Sequence, residues 1–129
     1  MPRQPSSQLT EVELQILNTL WDQGPSTARQ IHNRLMEERE TNYSTTVKML
    51  SVMLQKELVT RDDSVRPQVF SPAVTQQRTQ KKMLKDLIQK AYDGSASSLV
   101  MQALSSQKAT QEELAEIRAL LNELEEKQK

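Results

Sequence analysis

Apolar residues recur at helical spacing along nearly the whole chain, and that pattern gives way only once, between Leu58 and Ser71. No other feature restricts the fold as strongly, because it sets one short β segment between two groups of helices. A first helix over about 10–22 opens on Thr10-Glu11-Val12-Glu13, a Thr-x-x-Glu capping box. It turns Val12, Ile16 and Leu20 to one face, with Leu14, Leu17 and Trp21 beside them, and Gly24-Pro25 ends it. Ser26 is placed to cap a second helix over about 27–38, with Ala28, Ile31, Leu35 and Met36 inward. After the solvated run Glu37 to Thr41, Ser44 is placed to cap a third helix over about 45–57. Its expected inward stripe is Tyr43, Val47, Leu50 and Leu54, spaced 4, 3 and 4.

The β segment follows as a strand over 58–62, a tip at Asp62-Asp63-Ser64, and a return strand over 67–71 carrying Val69 and Phe70. Beyond Pro72, a fourth helix over about 75–92 turns Met83, Leu84, Leu87, Ile88, Ala91 and Tyr92 inward and stops near Gly94. A fifth, over about 96–105, is built around Leu99, Val100, Ala103 and Leu104. Thr110-Gln111-Glu112-Glu113 is another capping box, opening a sixth helix to about 126 with Leu114, Ile117, Leu121 and Leu124 on one side. The fold class is therefore mainly α with a small β-hairpin wing: a winged helix-turn-helix domain over 1–74, then a three-helix domain over 75–129. Below roughly 70 residues a core is marginal, so the second domain needs a partner surface. A second copy of the chain supplies one most simply, with Leu84, Leu87, Leu99, Ile117, Leu121 and Leu124 at or near the interface.

Catalysis finds little material. The chain has no cysteine, one histidine (His32) and two glycines (Gly24 and Gly94). Thiolate chemistry is excluded, no phosphate-cradling loop can be assembled, and His32 has no second histidine with which to share a metal. Adjacent acids at 37–38, 112–113 and 125–126 point in different directions on a helix and read as solvated faces. Neither a cofactor nor a metal is expected. No run approaches the roughly 20 apolar residues of a membrane span, and Met1 to Gln8 is polar and loose rather than a signal peptide. A cytoplasmic location is the simplest expectation.

Net charge is zero, and residues 1–74 hold eight Lys or Arg against nine Asp or Glu, a net of −1. Any surface for nucleic acid must therefore be local. With Val47, Leu50 and Leu54 inward, ~100° per residue turns Thr45, Lys48, Met49, Val52 and Lys56 outward, with Ser44 and Thr46 flanking them at the N-terminal end. Hydroxyls and Lys suit base edges and phosphates, apolar tips suit a thymine methyl, and the free N–H groups of a helix start favour phosphate. Arg61, Arg66 and Gln68 on the hairpin extend this to a DNA backbone. A winged helix that binds only protein remains open, and a leucine- and methionine-rich helical core can also hide a small-molecule pocket.

Several ordered segments carry a resemblance. They are Leu9-Thr10-Glu11-x-Glu13-Leu14-x-Ile16-Leu17-x-x-Leu20-Trp21-x-x-Gly24-Pro25, then Thr27-Ala28-Arg29-Gln30-Ile31-His32 and Tyr43-Ser44-Thr45-Thr46-Val47. Leu58-Val59-x-Arg61, Val69-Phe70-Ser71-Pro72, Gly94-Ser95 and Leu114 to Glu126 complete the set. Over about residues 9–126 the chain resembles the penicillinase-repressor and methicillin-resistance-repressor family of bacterial regulators. The resemblance implies a homodimeric repressor on a palindromic double-stranded operator, its third helix in the major groove and its C-terminal helices interlocking two subunits. By position it assigns base or phosphate contacts to Thr45, Thr46, Lys48 and Met49, and backbone contacts to Lys56, Arg61 and Arg66. It makes His32, Trp21 and Tyr43 structural, and it admits a membrane sensor or a protease as antirepressor. Departures are informative. The cysteine pairs of copper-responsive members are absent. Gln102-Ala103 stands where antibiotic-responsive members are cleaved at Asn-Phe. Met49 and Met53 replace a Thr and an Arg, and Leu58 replaces a Gly at the end of the third helix.

Overall fold

The computed structural model describes residues 9–129, so the stretch Met1 to Gln8, expected to be loose, lies outside them. Six helices and a small antiparallel sheet follow in the order α1 (Glu11–Gln23), β1 (Ser26–Thr27), α2 (Ala28–Leu35), α3 (Tyr43–Gln55), β2 (Val59–Asp62), β3 (Val69–Pro72), α4 (Gln76–Ala91), α5 (Ala96–Ser106) and α6 (Gln111–Lys127). This is a winged helix-turn-helix followed by three helices. The chain separates into two compact units, one ending at Lys81 and the other Lys82–Lys129. The division thus falls inside α4, whereas the sequence suggested 74/75.

In the first unit, one apolar cluster joins α1 (Ile16, Leu17, Leu20), α2 (Ile31, Leu35), α3 (Leu50, Met53), β2 (Val59) and β3 (Phe70). Burial of this many aliphatic side chains, at ~25 cal/mol per Å² of apolar surface, is the main force holding the helices together. The α1 capping box forms as expected: the Thr10 hydroxyl accepts from the Glu13 N–H at 3.2 Å, and Glu13 accepts from the Thr10 N–H at 2.8 Å. At the other end Gly24 adopts φ +84, a region where other residues are strained, and this turns the chain toward Pro25. Trp21 ties the end of the wing back to α1 by donating its indole N–H to the Val74 carbonyl at 3.1 Å.

Three local expectations fail, each because a neighbouring residue makes the better cap or pair. Ser26 does not cap α2; it is a strand residue opposite Phe70, and β3 lies in the middle of a three-stranded sheet ordered β1-β3-β2. Thr27 caps instead, accepting from the Gln30 N–H at 3.2 Å while Gln30 accepts from the Thr27 N–H at 2.9 Å. The other end of α2 comes early, at Leu35, as Glu37 and Glu38 donate to carbonyls three residues back and Met36 is left exposed. Asn42, and not Ser44, caps α3: its side-chain oxygen accepts from the Thr45 N–H and from the Ser44 and Thr45 hydroxyls at 2.8–2.9 Å. At the far end of α3, the left-handed residue is Glu57 (φ 62), and Leu58, where the resemblance leads one to expect a glycine, lies one position beyond. The Leu58 N–H reaches the Met53 carbonyl at 2.9 Å and the Glu57 N–H the Leu54 carbonyl at 3.1 Å, the paired bonds of a Schellman ending.

The second unit is different in kind. Neither α5 nor α6 buries a single side chain, although both are well capped, α5 by Ser95 and α6 by a Thr110–Glu113 capping box. Val100, Met101, Leu104, Leu114, Leu120, Leu121 and Leu124 are all exposed. Such an uncovered apolar set is what an unpartnered association surface looks like.

Candidate nucleic-acid interface

The orientation of α3 follows from which of its residues the core takes. Thr46, Leu50 and Met53 are buried, so Met53 and a hydroxyl residue replace Val47 and Leu54 as the inward stripe. Val47 is 42% exposed, while Tyr43 and Leu54 are half-buried. At ~100° per residue, the outward face turns by roughly 70° from the one expected. Ser44, Lys48, Ser51 and Gln55 occupy its centre, with Thr45, Val47 and Val52 on its flanks. Ser51 and Gln55 were missed from sequence because Thr46 does not look like a core residue.

Two of the expected contact residues face inward instead. The Thr46 hydroxyl lies 2.8 Å from His32 Nδ1, so it belongs to the packing of α2 on α3. Met49 is partly buried against the core cluster. Lys56 is committed elsewhere: its Nζ donates to both carboxylate oxygens of Glu13, at 2.9 and 3.2 Å. Glu13 is completely buried. Burial pushes its carboxyl up, but the Thr10 N–H, the Lys56 ammonium and the Thr10 hydroxyl together outweigh this and hold it below the usual range. The pair fastens the start of α1 to the end of α3.

The wing is less basic than its sequence suggests. Arg61 donates to Asp63 at 2.6 Å, and Gln68 donates to the same oxygen at 3.0 Å. Asp62 is held in its charged form by the hydroxyl and the N–H of Ser64. Arg66 is exposed and has no carboxylate within 4 Å among the described residues. The seven cations between Leu9 and Thr75 therefore divide. Arg34, Arg39, Lys56 and Arg61 are paired with acids; Arg29, Lys48 and Arg66 have no such partner among the described residues. The helix starts divide too. The first turns of α1 and α6 carry glutamates, whereas those of α2, α3, α4 and α5 carry no acidic residue, so the starts of α2 and α3 are capped by neutral side chains alone.

Among the described residues no group of three or more His, Asp or Glu is placed to hold a metal. No helix among the described residues is long and apolar enough to cross a membrane. Residues 9–123 match the penicillinase repressor family. The chain belongs to that family. Its members are transcription regulators and not enzymes, so a transcriptional repressor is the established class for this chain. A penicillinase repressor of Staphylococcus aureus is 22% identical over 120 residues, covering 93% of this chain and 95% of that protein. The methicillin resistance regulatory protein MecI of Mammaliicoccus sciuri is 22% identical over 115 residues, covering 89% and 94%.

The other expected site positions lie in the helices after the wing. Leu84 and Leu87 on α4 and Leu121 and Leu124 on α6 are exposed, while Leu99 on α5 and Ile117 on α6 are half-buried. Gln102 and Ala103, the pair expected to stand at a cleavage point, are exposed residues inside α5.

Proposed function

We propose that this repressor acts as a homodimer that grips a palindromic operator with the outward face of α3 and so blocks a promoter. The observation that carries the reading is that face itself: Ser44, Thr45, Lys48, Ser51 and Gln55 are presented together beside a helix start free of carboxylates. Lys48 and Arg66 supply charge for phosphate, and Ser, Thr and Gln offer both donors and acceptors to base edges. Dimerisation is supported by the uncovered leucines of α4 and α6. In a symmetric pair the two α3 helices would meet half-sites one helical turn apart, about 34–36 Å, or a multiple of it.

Selection from random duplex DNA, followed by titration of the winner at two salt concentrations, tests this. A palindromic consensus bound in a salt-sensitive way is the expected result. Thr45→Ala with Lys48→Ala should then abolish tight binding while the dimer and the melting temperature hold. The near-neutral charge of the first unit favours one competing reading, a winged helix that binds only protein; a lack of enrichment in the selection would decide for it.

A further inference from the structure

We infer that Arg29 on α2, stacked on Tyr43, is a second phosphate contact, built into the junction of the two helix-turn-helix helices; this rests on the DNA reading above. The guanidinium carbon lies 3.9 Å from the centre of the Tyr43 ring, a cation–π contact. Tyr43 is the first residue of α3, so the position of the cation is set by the recognition helix itself. The ring is held in turn. Its plane meets His32 at 90° with centroids 5.6 Å apart, and His32 is fixed by the 2.8 Å contact with Thr46 on α3. Arg29, Tyr43, His32 and Thr46 thus form a continuous stack from the surface to the core.

Three properties of Arg29 suit it to phosphate. It is exposed, and no carboxylate among the described residues neutralises it, so it is free to displace a counterion. Its planar fork matches phosphate oxygens in a bidentate way, which an ammonium cannot do. Stacking already restricts its rotamers, so less conformational freedom is lost on binding than for a free surface Arg. Its place, on the leading helix beside the start of α3, is where a helix-turn-helix crosses the DNA backbone. No local sequence pattern announces this pairing, since Arg29 and Tyr43 are separated by most of α2 and the α2–α3 connection.

The test is titration of the full chain with a duplex carrying the selected site, over a range of salt, for the wild type, Arg29→Ala, Arg29→Lys and Tyr43→Leu. Arg29→Ala should reduce the steepness of log K against log salt by about 0.9 per protomer bound and weaken binding about eightfold per half-site at 0.1 M salt. Arg29→Lys and Tyr43→Leu keep the charge, so they should keep the slope and lose affinity a few-fold. Melting temperatures guard against misfolding: Arg29 is exposed and its variants should melt like the wild type. An unchanged slope for Arg29→Ala, with or without a loss of affinity, would overturn the inference, because the stack would then serve only packing. A wild type that binds no duplex would instead remove the DNA reading and the inference with it.

Discussion

Lys56→Met removes the countercharge of a fully buried carboxylate, and its cost can be worked from the contacts. Glu13 is 0% exposed and accepts from Lys56 Nζ at 2.9 and 3.2 Å and from the Thr10 N–H at 2.8 Å. Breaking a buried pair on one side costs about 3–5 kcal/mol. Two features favour the lower end: the Thr10 hydrogen bond survives, and the Lys56 side chain is itself 20% exposed, so water reaches the rim. A loss of about 3 kcal/mol at pH 7 corresponds to a fall in Tm of roughly 12–24 °C for a unit of this size. The pH dependence has a definite sign. In the wild type the folded-state pKa of Glu13 is depressed, so its contribution is complete above the unfolded value and is lost as pH falls through the folded value. Lys56→Met deletes the hydrogen bond and the charge that help to lower the Glu13 pKa, so the folded-state pKa rises relative to the wild type, the carboxyl takes up a proton sooner and the gap between variant and wild type narrows toward acid. Urea unfolding followed by far-UV circular dichroism at pH 7 and pH 5 measures both. Glu13→Gln with Lys56→Met should recover most of the loss, since the amide oxygen still accepts from Thr10 and no charge is left buried. A single variant costing under about 1 kcal/mol, or a double variant no better than the single, would refute the reasoning.

Three further outcomes are expected. Glu57→Gly should stabilise the first unit by about 1 kcal/mol in the same urea experiment, because Glu57 sits at φ 62 and carries a negative charge at the end of α3. Asp63→Asn should release Arg61 from its 2.6 Å ion pair, tightening DNA binding and steepening its salt dependence by up to about 0.9 per protomer; an unchanged slope would place Arg61 away from the backbone. Leu121→Glu with Leu124→Glu should convert a dimer into a monomer in sedimentation while leaving the secondary structure intact, since both residues are exposed in the single chain.

Much of the fold was legible because its signals are local. The Thr10 and Thr110 capping boxes and the change from helical to alternating spacing at Leu58 each act within a few residues. What escaped was decided by competition between neighbours. Asn42 and Ser44 both suit a cap, and only the convergence of three donors on Asn42 settles the start of α3. That choice, with Thr46 drawn inward by His32 and Met53 by the core, fixes the rotation of α3. The expected outward face of α3 was therefore centred about 70° from the one the fold presents, so Met49, Thr46 and Lys56 were included and Ser51 and Gln55 omitted. Strand β1 was invisible because two residues carry no period; Ser26 and Thr27 become a strand only by pairing with Phe70 and Val69.

The distribution of charge explains how a chain with no net charge can serve the proposed role. Most acids of the first unit for which a cation is available are matched to one that does structural duty: Asp22 and Glu37 to Arg34, Glu11 to Arg39, Glu13 to Lys56, Asp63 to Arg61. Between Leu9 and Thr75, what remains for a ligand among the described residues is Arg29 and Lys48 around α3 and Arg66 on the wing, too few for one winged helix to hold a duplex strongly on its own. A protein built this way gains specificity from the polar face of α3 and strength from duplication. When two copies are joined, the second half-site is met at the high effective concentration set by the link between them, and affinity multiplies without a new contact. On the proposed reading, the bare leucines of α4 and α6 and the sparse cations of the winged helix belong to one arrangement: a weak half-site reader would hold an operator tightly only when a second copy covers those leucines.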